Sequence, residues 1–187
     1  STGVAALNIG GVTIHSFAKM GIGMDSPEKI ISKILKDKKA KTRIMNCKVL
    51  AIDEISMLSA KFLNLVNRIF KAVRGSDAPF GGTVILLFGD FLQLPPVIKP
   101  QEEDDICLRC ESWREAEFET IMLRHNYRQA DDMQFFDILK EIRLGRNLDF
   151  AFKALQSRVG KVPEKRTIKL VSHKSQASEI NDYNLKL

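Results

Sequence analysis

The feature that most constrains the fold of this chain is a strand-helix-strand pattern near its middle. An apolar run over 48–52 ends in Asp53-Glu54, and a second run, TVILLF at 83–88, ends in Gly89-Asp90. Between them, apolar residues at helical spacing predict a helix over 60–74. Buried runs of this kind are typical of parallel strands, and the handedness of the crossover puts both strand ends on one edge of the sheet. The pattern therefore predicts an α/β fold, a parallel sheet flanked by helices.

Polar side chains at that predicted edge indicate a nucleotide site. Asp53 stands where P-loop NTPases carry the aspartate that helps to hold Mg²⁺, and the adjacent Glu54 can polarise an attacking water. GDFLQLPP places Asp90 beside them and Gln93 within reach of a terminal phosphate. Alone, the two motifs have simple explanations, a polar strand end and a proline-terminated loop. Their pairing on neighbouring strands favours nucleotide binding.

Two further motifs carry candidate binding residues. LRHNYRQ offers Arg128 as an arginine finger and Tyr127 as a ring for a base, although an exposed arginine after a strand is the simpler alternative. STGVAAL…GGVTIHSF offers hydroxyl, imidazole and ring contacts to nucleic acid. Its candidates are Thr2, His15, Ser16 and Phe17. A purely structural role is the simpler alternative for His15.

Charge and cysteine content narrow the class of protein. The chain has 187 residues, 44% of them hydrophobic, and a net charge of +6, which fits one or two globular domains. Residues 19–48 hold nine basic side chains against three acidic ones, either a solvated helix face or a phosphate-attracting patch. The odd number of cysteines favours a reducing compartment, and Cys107 and Cys110 supply only two of the four ligands that structural zinc needs. No apolar run is long enough for a membrane span, and we expect no signal peptide because the opening residues show neither a basic nor a long apolar region.

Local patterns predict the remaining elements. VTIHSF predicts a short strand or extended loop, and Ser26-Pro27 predicts the start of a basic amphipathic helix near 27–39. The acidic stretch 101–119 predicts surface loop and helix. The rest of the chain predicts a third strand at 120–124, a helix at 132–144 capped by Asp131 and stopped by Gly145, a short helix after Asp149, a strand at 168–172 and a closing helix capped by Ser175.

Taken in order, five segments resemble the helicase motifs of the PIF-one family of superfamily 1 DNA helicases. They are STGVAAL…GGVTIHSF, IDEISM, APFGG…LLFGDFLQLPPV, NYRQAD…LKEIRLG and IKLVSHKSQASEIN, and the most specific stretch is KFLNLVNRIFKAVRGSDAPFGG. The resemblance covers nearly the whole chain. It implies a RecA-like P-loop NTPase fold, with an incomplete first lobe over 1–117 that contains a small wedge insertion at about 21–45, and the beginning of a second lobe over 118–187.

The resemblance also implies an activity, which is ATP-driven 5′-to-3′ translocation on single-stranded DNA with unwinding of forks or quadruplexes in replication, repair, recombination and telomere or genome maintenance. The cofactors would be ATP and Mg²⁺, the metal held by Asp53 through water. The implied roles are Glu54 as catalytic base, Gln93 as γ-phosphate sensor, Arg128 as finger from the second lobe, Thr2, Gly3, His15, Ser16 and Phe17 along the DNA path, and Lys38 and Lys39 on a fork-facing wedge. Ser172-His173 departs from the threonine usual in the family, which puts a DNA contact there in question.

One motif of such enzymes does not occur in this sequence. The only Gly-Lys pair, Gly160-Lys161, is followed by Val162, so no phosphate-binding GxxxxGK[ST] loop is present. We therefore expect an internal piece of a helicase, monomeric and not membrane-bound, that does not hydrolyse ATP at a useful rate by itself. A RecD-like or transposon-borne helicase ATPase and a degenerate, non-catalytic DNA-binding module are the alternatives. The expected location is the nucleus or mitochondrion of a eukaryote, or the cytoplasm of a bacterium or virus-infected cell.

Overall fold

We describe the protein from a computed structural model that covers residues 3–21, 25–97, 106–129, 131–161 and 167–185. The chain forms two compact units, Ser1–Arg128 and Gln129–Leu187. The strands are β1 (Val49–Ile52) and β2 (Val84–Leu87). The helices are α1 (Gly3–Asn8), α2 (Ile14–Ala18), α3 (Pro27–Lys36), α4 (Lys38–Met45), α5 (Ala60–Arg74), α6 (Glu111–Ala116), α7 (Met133–Leu144), α8 (Leu148–Gln156) and α9 (Lys174–Leu185). Within these ranges, no helix has the length and apolar character needed to cross a bilayer.

The predicted strand-helix-strand unit is confirmed. β1 and β2 are parallel neighbours, in a register that pairs Val49 with Val84 and Ile52 with Leu87. α5 connects them and has the predicted bounds. The Ser59 hydroxyl caps its first turn by accepting a hydrogen bond from the Phe62 amide, and Gly75 ends it in the left-handed conformation. The fold is therefore α/β, as predicted.

The core of the first unit lies on one face of this sheet. Leu50 and Ile52 point into it and meet the apolar side of α5, while Val84 and Leu86 on the other face are exposed. Buried core side chains of α5 are Leu63, Val66, Ile69, Phe70 and Val73. This one-sided core fixes the strand ends, and with them the predicted site.

The predicted helix at 27–39 is two helices. The backbone of Asp37 is extended, so the helix breaks there, and its carboxylate caps α4 by accepting a 2.9 Å hydrogen bond from the Ala40 amide. Ala40 and Ile44 of α4 are fully buried in the same core as α5. The helical pair thus packs into the first unit along its whole length. A fork-facing wedge role for this segment stays a prediction.

Three predicted strands or extended segments are wrong in the described residues. VTIHSF contains the helix α2, because Thr13 caps it through a 3.2 Å hydrogen bond from the Ser16 amide and because Ile14 and Ala18, four residues apart, are both buried. The stretches 120–124 and 168–172 have no strand pairing. Ile121, Met122 and Leu123 are 78%, 74% and 86% exposed, so an apolar run without a neighbouring strand stays irregular.

The second unit contains the predicted helices with shifted ends. α7 is capped by Asp132 rather than Asp131, through a 2.9 Å hydrogen bond from the Phe135 amide, and Gly145 ends it as predicted. α8 begins at Leu148, and α9 begins at Lys174, so Ser175 lies inside its first turn. The buried apolar side chains described in this unit are Ile138 and Ala151. The compact unit begins at Gln129, whereas the second lobe was predicted to begin at 118; its assignment as a lobe stays a prediction.

Candidate functional site at the carboxyl edge of the sheet

The two strand ends meet at one edge, where the sequence places its acidic residues. Beyond the strands, the Phe88 amide donates to the Ile52 carbonyl and the Ile55 amide donates to the Phe88 carbonyl, both at 2.9 Å. Asp53 and Glu54 lie between these two bonds, and Gly89-Asp90 follows directly on the neighbouring strand. The predicted carboxylates thus come from two chain segments that are hydrogen-bonded to each other.

Glu54 has an unusual backbone conformation. Its φ of 55° and ψ of 49° lie in the left-handed region, which non-glycine residues seldom occupy and which costs on the order of 1–3 kcal/mol. The Asp53 carboxylate stabilises this turn, since its Oδ1 accepts a 2.9 Å hydrogen bond from the Glu54 amide. Both acidic side chains are half-buried. Strain of this kind concentrates at functional sites because the surrounding structure must maintain it.

Gly89 allows the close approach of the two segments. A Cβ atom at this position would lie 2.9 Å from Ile55 Cγ2 and 3.0 Å from the Ile55 nitrogen. The second distance is to backbone, which cannot move aside as a flexible side chain would. Any larger residue would therefore push the segment that carries Asp90 away from the turn that carries Glu54.

Asp90 organises the loop that contains Gln93. Its Oδ1 accepts a 3.1 Å hydrogen bond from the Leu92 amide, and its Oδ2 accepts one of the same length from Gln93 Nε2. The Asp90 carbonyl also accepts from the Gln93 amide at 3.0 Å. The Gln93 side chain is exposed, and Pro96 is buried where the loop returns to the protein. The carboxamide is thus held near the strand end, and within the described ranges its second N–H has no acceptor.

Arg128 and Tyr127 lie in a tight turn outside this hydrogen-bonded edge. The Arg128 amide donates to Asn126 Oδ1 at 2.9 Å, and both side chains are exposed, Tyr127 by 87%. In the described part of the chain, no ion pair involves the Arg128 guanidinium. The structure therefore brings Asp53, Glu54, Asp90 and Gln93 together, and the roles of all six residues stay predictions.

The predicted nucleic-acid contacts fall largely on α2. Thr2 lies outside the described residues, and Gly3 is the first residue of α1. The His15 ring lies 4.5 Å from the Phe62 ring of α5, and partial burial lowers the pKa of His15 below its ordinary value of 6.5. Ser16 is exposed, and Phe17 is half-buried under the guanidinium of Arg43. His15 therefore contacts α5 through Phe62, and Phe17 contacts α4 through Arg43.

A small apolar cavity separates this helix from the carboxylates. Its volume is about 210 Å³, and its lining includes Val12 and Phe17 on one side and β1 through Asp53 on the other. One candidate DNA residue, Phe17, and one candidate nucleotide residue, Asp53, therefore border the same cavity within the first unit.

Lysines near α4 differ in their pairing. Lys29 and Lys33 both donate to Asp25, which lowers the pKa of that carboxyl to about 2, and Lys19 pairs with Asp37 at 2.6 Å. The two candidate fork contacts are Lys38 and Lys39. They are exposed, and neither has an acidic partner in the described ranges.

The described residues contain no group of three or more His, Cys, Asp or Glu side chains that could hold a metal ion by themselves. Cys107 and Cys110 are buried and form no disulfide. The thiol of Cys107 donates to the Ile55 carbonyl. These cysteines pack in the core, and Cys107 lies next to the Glu54 turn.

A family model described as PIF1-like helicase matches residues 1–153 of this sequence. The chain belongs to the PIF1-like helicase family. It is 43% identical over 150 residues to the ATP-dependent DNA helicase PIF1 of Saccharomyces cerevisiae, a match that covers 80% of this chain and 17% of that protein. The chain thus spans about a sixth of this relative.

Solved structures of PIF1-like helicases have the same fold. The crystal structure of the Candida albicans Pif1 helicase superposes with a TM-score of 0.89 and 37% identity, covering 100% of this chain and 43% of that one. The structure of the Bacteroides Pif1 helicase in complex with ADP-AlF3 and single-stranded DNA superposes with a TM-score of 0.83 and 28% identity. This match covers 99% of this chain and 46% of that one. The RecA-like fold of PIF1-like helicases implied by the motifs is thereby confirmed.

Sequence reasoning missed two residues that shape the site. Arg43 was counted only within the basic block, and Phe62 only within the apolar face of α5. Both reach α2 across at least 26 positions of sequence, and no local pattern records a contact of that range. The single indication available was that one arginine stands among the lysines of this block, a residue suited to several simultaneous hydrogen bonds.

Proposed function

We propose that this chain forms the nucleotide-facing and DNA-facing part of an ATP-dependent DNA helicase. The observation that carries the proposal is the convergence of Asp53, Glu54, Asp90 and Gln93 on two hydrogen-bonded strand ends. The Bacteroides relative, whose structure contains a nucleotide analogue and single-stranded DNA, supports the same assignment.

The residues at this edge fit a magnesium-nucleotide complex. Mg²⁺ in nucleotide sites keeps several waters and uses one or two carboxylates together with phosphate oxygens. Asp53 is half-buried, and of its two oxygens Oδ1 is engaged by the Glu54 amide, which leaves Oδ2 to hold a water ligand of the metal. When bound, Mg²⁺ would neutralise charge on the ATP phosphates.

Each side chain then has a distinct task. Glu54 would orient the attacking water and accept its proton, and Gln93 would donate its remaining side-chain N–H to a γ-phosphate oxygen while Asp90 holds the carboxamide. Arg128, which has no acidic partner among the described residues, would add positive charge to that phosphate, and Tyr127 would stack on the base. Gly3, His15, Ser16 and Phe17, with Thr2, would line the path of single-stranded DNA.

The whole protein would translocate 5′ to 3′ on single-stranded DNA and unwind forks or quadruplexes in DNA replication, repair, recombination and telomere or genome maintenance. The odd number of cysteines, Cys47, Cys107 and Cys110, supports a reducing compartment, such as the nucleus or mitochondrion of a eukaryote or a bacterial cytoplasm.

The proposal is tested with Glu54→Gln in the full-length protein. The substitution keeps the shape of the side chain and removes the proton acceptor, so we expect kcat of the DNA-stimulated ATPase to fall about 100- to 10,000-fold. The affinity for single-stranded DNA should stay within about twofold. Glu111→Gln on the exposed first turn of α6 is the matched control and should keep full turnover. A wild-type protein that binds DNA and turns over no ATP would instead indicate a non-catalytic DNA-binding module.

A further inference from the structure

The carboxyl end of α2 is held by a single arginine from another helix. Arg43 Nη1 donates to the Ser16 carbonyl at 3.2 Å and to the Phe17 carbonyl at 2.7 Å. Its guanidinium carbon lies 5.7 Å from the centre of the Phe17 ring. One side chain thus contacts both the backbone and the ring of the segment proposed to meet DNA.

These hydrogen bonds meet a need that a short helix has at its end. The last carbonyls of a helix have no intrahelical partner. α2 has only five residues and ends where Lys19 takes the left-handed conformation, with its amide directed to the carbonyls of His15 and Ser16. Among the hydrogen bonds of the described residues, the donor to the Phe17 carbonyl is Arg43. A planar guanidinium with several donors suits this role better than a lysine ammonium does.

Arg43 itself belongs to a fixed support. On either side of it, Ala40 and Ile44 are fully buried against α5, so α4 cannot shift without disturbing the core. A second tie joins the same two segments, because Lys19 pairs with Asp37, the residue that caps α4. α2 is therefore joined to this region at two places. Arg43 binds Ser16 and Phe17 near the end of α2, and Asp37 binds Lys19, which follows it.

We propose that Arg43 is a positioning residue for DNA binding, acting through Ser16 and Phe17 rather than by touching the DNA. The inference rests on the proposed function of α2. Arg43, one of the basic residues of 19–48, would then hold α2 in place, a role separate from the fork contacts proposed for Lys38 and Lys39. Since the Arg43 side chain is exposed, water can replace it at the two carbonyls after truncation. Truncation of Arg43 should therefore alter the position of α2 more than it lowers the stability of the fold.

The test uses the nucleotide-free full-length protein and a labelled oligothymidylate, with affinity measured by fluorescence anisotropy over a salt series. We expect Arg43→Ala and Arg43→Lys to weaken binding by about tenfold, or roughly 1.4 kcal/mol, at every salt concentration. The slope of log K against log salt should not change, because no phosphate contact is lost. Lys41→Ala, an exposed cation on the same helix, is the matched control and should bind within about twofold of the wild type.

Kinetics and amide exchange supply readouts that a general loss of stability would not mimic. The DNA concentration that half-stimulates the ATPase should rise in both Arg43 variants, while kcat at saturating DNA is retained. Amide exchange should accelerate in α2 and stay unchanged in α5.

Several results would overturn the inference. A slope reduced by about 0.7 in Arg43→Ala together with near-normal binding by Arg43→Lys would make Arg43 a direct phosphate contact. Unchanged affinity in both variants, or exchange that accelerates equally in α2 and α5, would also reject it. A wild-type protein that does not bind single-stranded DNA would reject the proposed function of α2, and this inference with it.

Discussion

Glu54 illustrates how individual residues set the geometry of the site. Its left-handed backbone is maintained by the Asp53 carboxylate on one side and by the bond from the Ile55 amide to the Phe88 carbonyl on the other. Ser56, two residues later, is 3% exposed, and no other described residue forms a hydrogen bond with its hydroxyl. Backbone strain of this kind is typical of functional sites, because the surrounding structure must maintain it.

Gly89→Ala should displace the Gln93 loop from the Glu54 turn. The added Cβ would meet the Ile55 backbone nitrogen at 3.0 Å, so we expect destabilisation of about 1–3 kcal/mol and a loss of ATPase kcat of about tenfold or more in the full-length protein. The measurements are thermal unfolding and steady-state ATPase kinetics.

Gly75→Ala is the control for stability. Gly75 also has a positive φ, yet a Cβ there meets no atom within 4 Å, so the substitution costs only about 1–2 kcal/mol of backbone strain. Its kcat should stay near the wild-type value. Equal kcat in both variants would show that the close approach at Gly89 does not matter for catalysis.

His15 should titrate below its ordinary pKa of 6.5, because burial against Phe62 disfavours the charged ring. The folded state then binds fewer protons than the unfolded state in that range. The contribution of His15 to stability is therefore present above pH 6.5 and is lost as the pH falls through the lowered pKa. NMR titration of the imidazole measures the pKa directly.

Removing the neighbouring ring tests the cause of that shift. Phe62→Leu should raise the pKa of His15 towards 6.5, while Phe135→Leu, an exposed position of α7, should leave it unchanged. If the pKa of His15 is the same in Phe62→Leu as in the wild type, the contact with the Phe62 ring does not cause the shift.

At the scale of elements, the sequence predicted the helices and strands whose apolar residues repeat with a clear period. β1, β2 and α5 were placed correctly because each has a continuous apolar run or a regular apolar face. The strands were predicted as buried runs, but only one face of each packs against the core, and Val49, Val84 and Leu86 are exposed. α2 was missed because VTIHSF is too short for a period to show, and a Thr13 cap decided the outcome. The break at Asp37 was missed because a lysine-rich stretch has high helix propensity on both sides of it. The strand proposed at 120–124 needed a neighbouring strand, which its own sequence cannot reveal.

The charged end of α4 carries the next prediction. Lys38 and Lys39 are exposed and without acidic partners among the described residues, whereas Lys29 and Lys33 are paired with Asp25. If Lys38 and Lys39 meet a fork, charge reversal at both should reduce unwinding of a forked duplex by about tenfold and change single-strand-stimulated ATPase by less than about twofold. Assays of both activities in the full-length protein measure the difference.

Charge reversal at Lys140 and Lys153, two exposed lysines of the second unit, is the matched control. It changes the net charge by the same amount and should reduce unwinding less than charge reversal at Lys38 and Lys39 does. Equal loss of unwinding and ATPase, or loss of neither, would contradict the wedge role. This outcome is independent of Arg43, whose variants should alter DNA affinity on single strands as well.

For the whole molecule, the two units differ in how much apolar surface each one buries. The first contains one continuous cluster that joins α2, α3, α4, α5 and β1, whereas the buried apolar side chains described in the second are Ile138 and Ala151. Local opening costs least where few apolar contacts are lost. We therefore expect amides of α5 to be the slowest to exchange with deuterium in this 187-residue chain, and those of α9, which has no buried side chain, to be among the fastest.

Hydrogen-deuterium exchange with mass spectrometry measures this order directly. Amides of α7, which buries Ile138, should exchange at an intermediate rate. As the denaturant concentration is raised, amides of α5, β1 and β2 should come to exchange through one shared cooperative unfolding step. Leu63→Ala, a fully buried position of α5, should destabilise the first unit by about 2–5 kcal/mol and accelerate exchange throughout it. Protection of α9 equal to that of α5 would contradict the uneven distribution of stability, and with it the view that the candidate site is built on the rigid part of the chain.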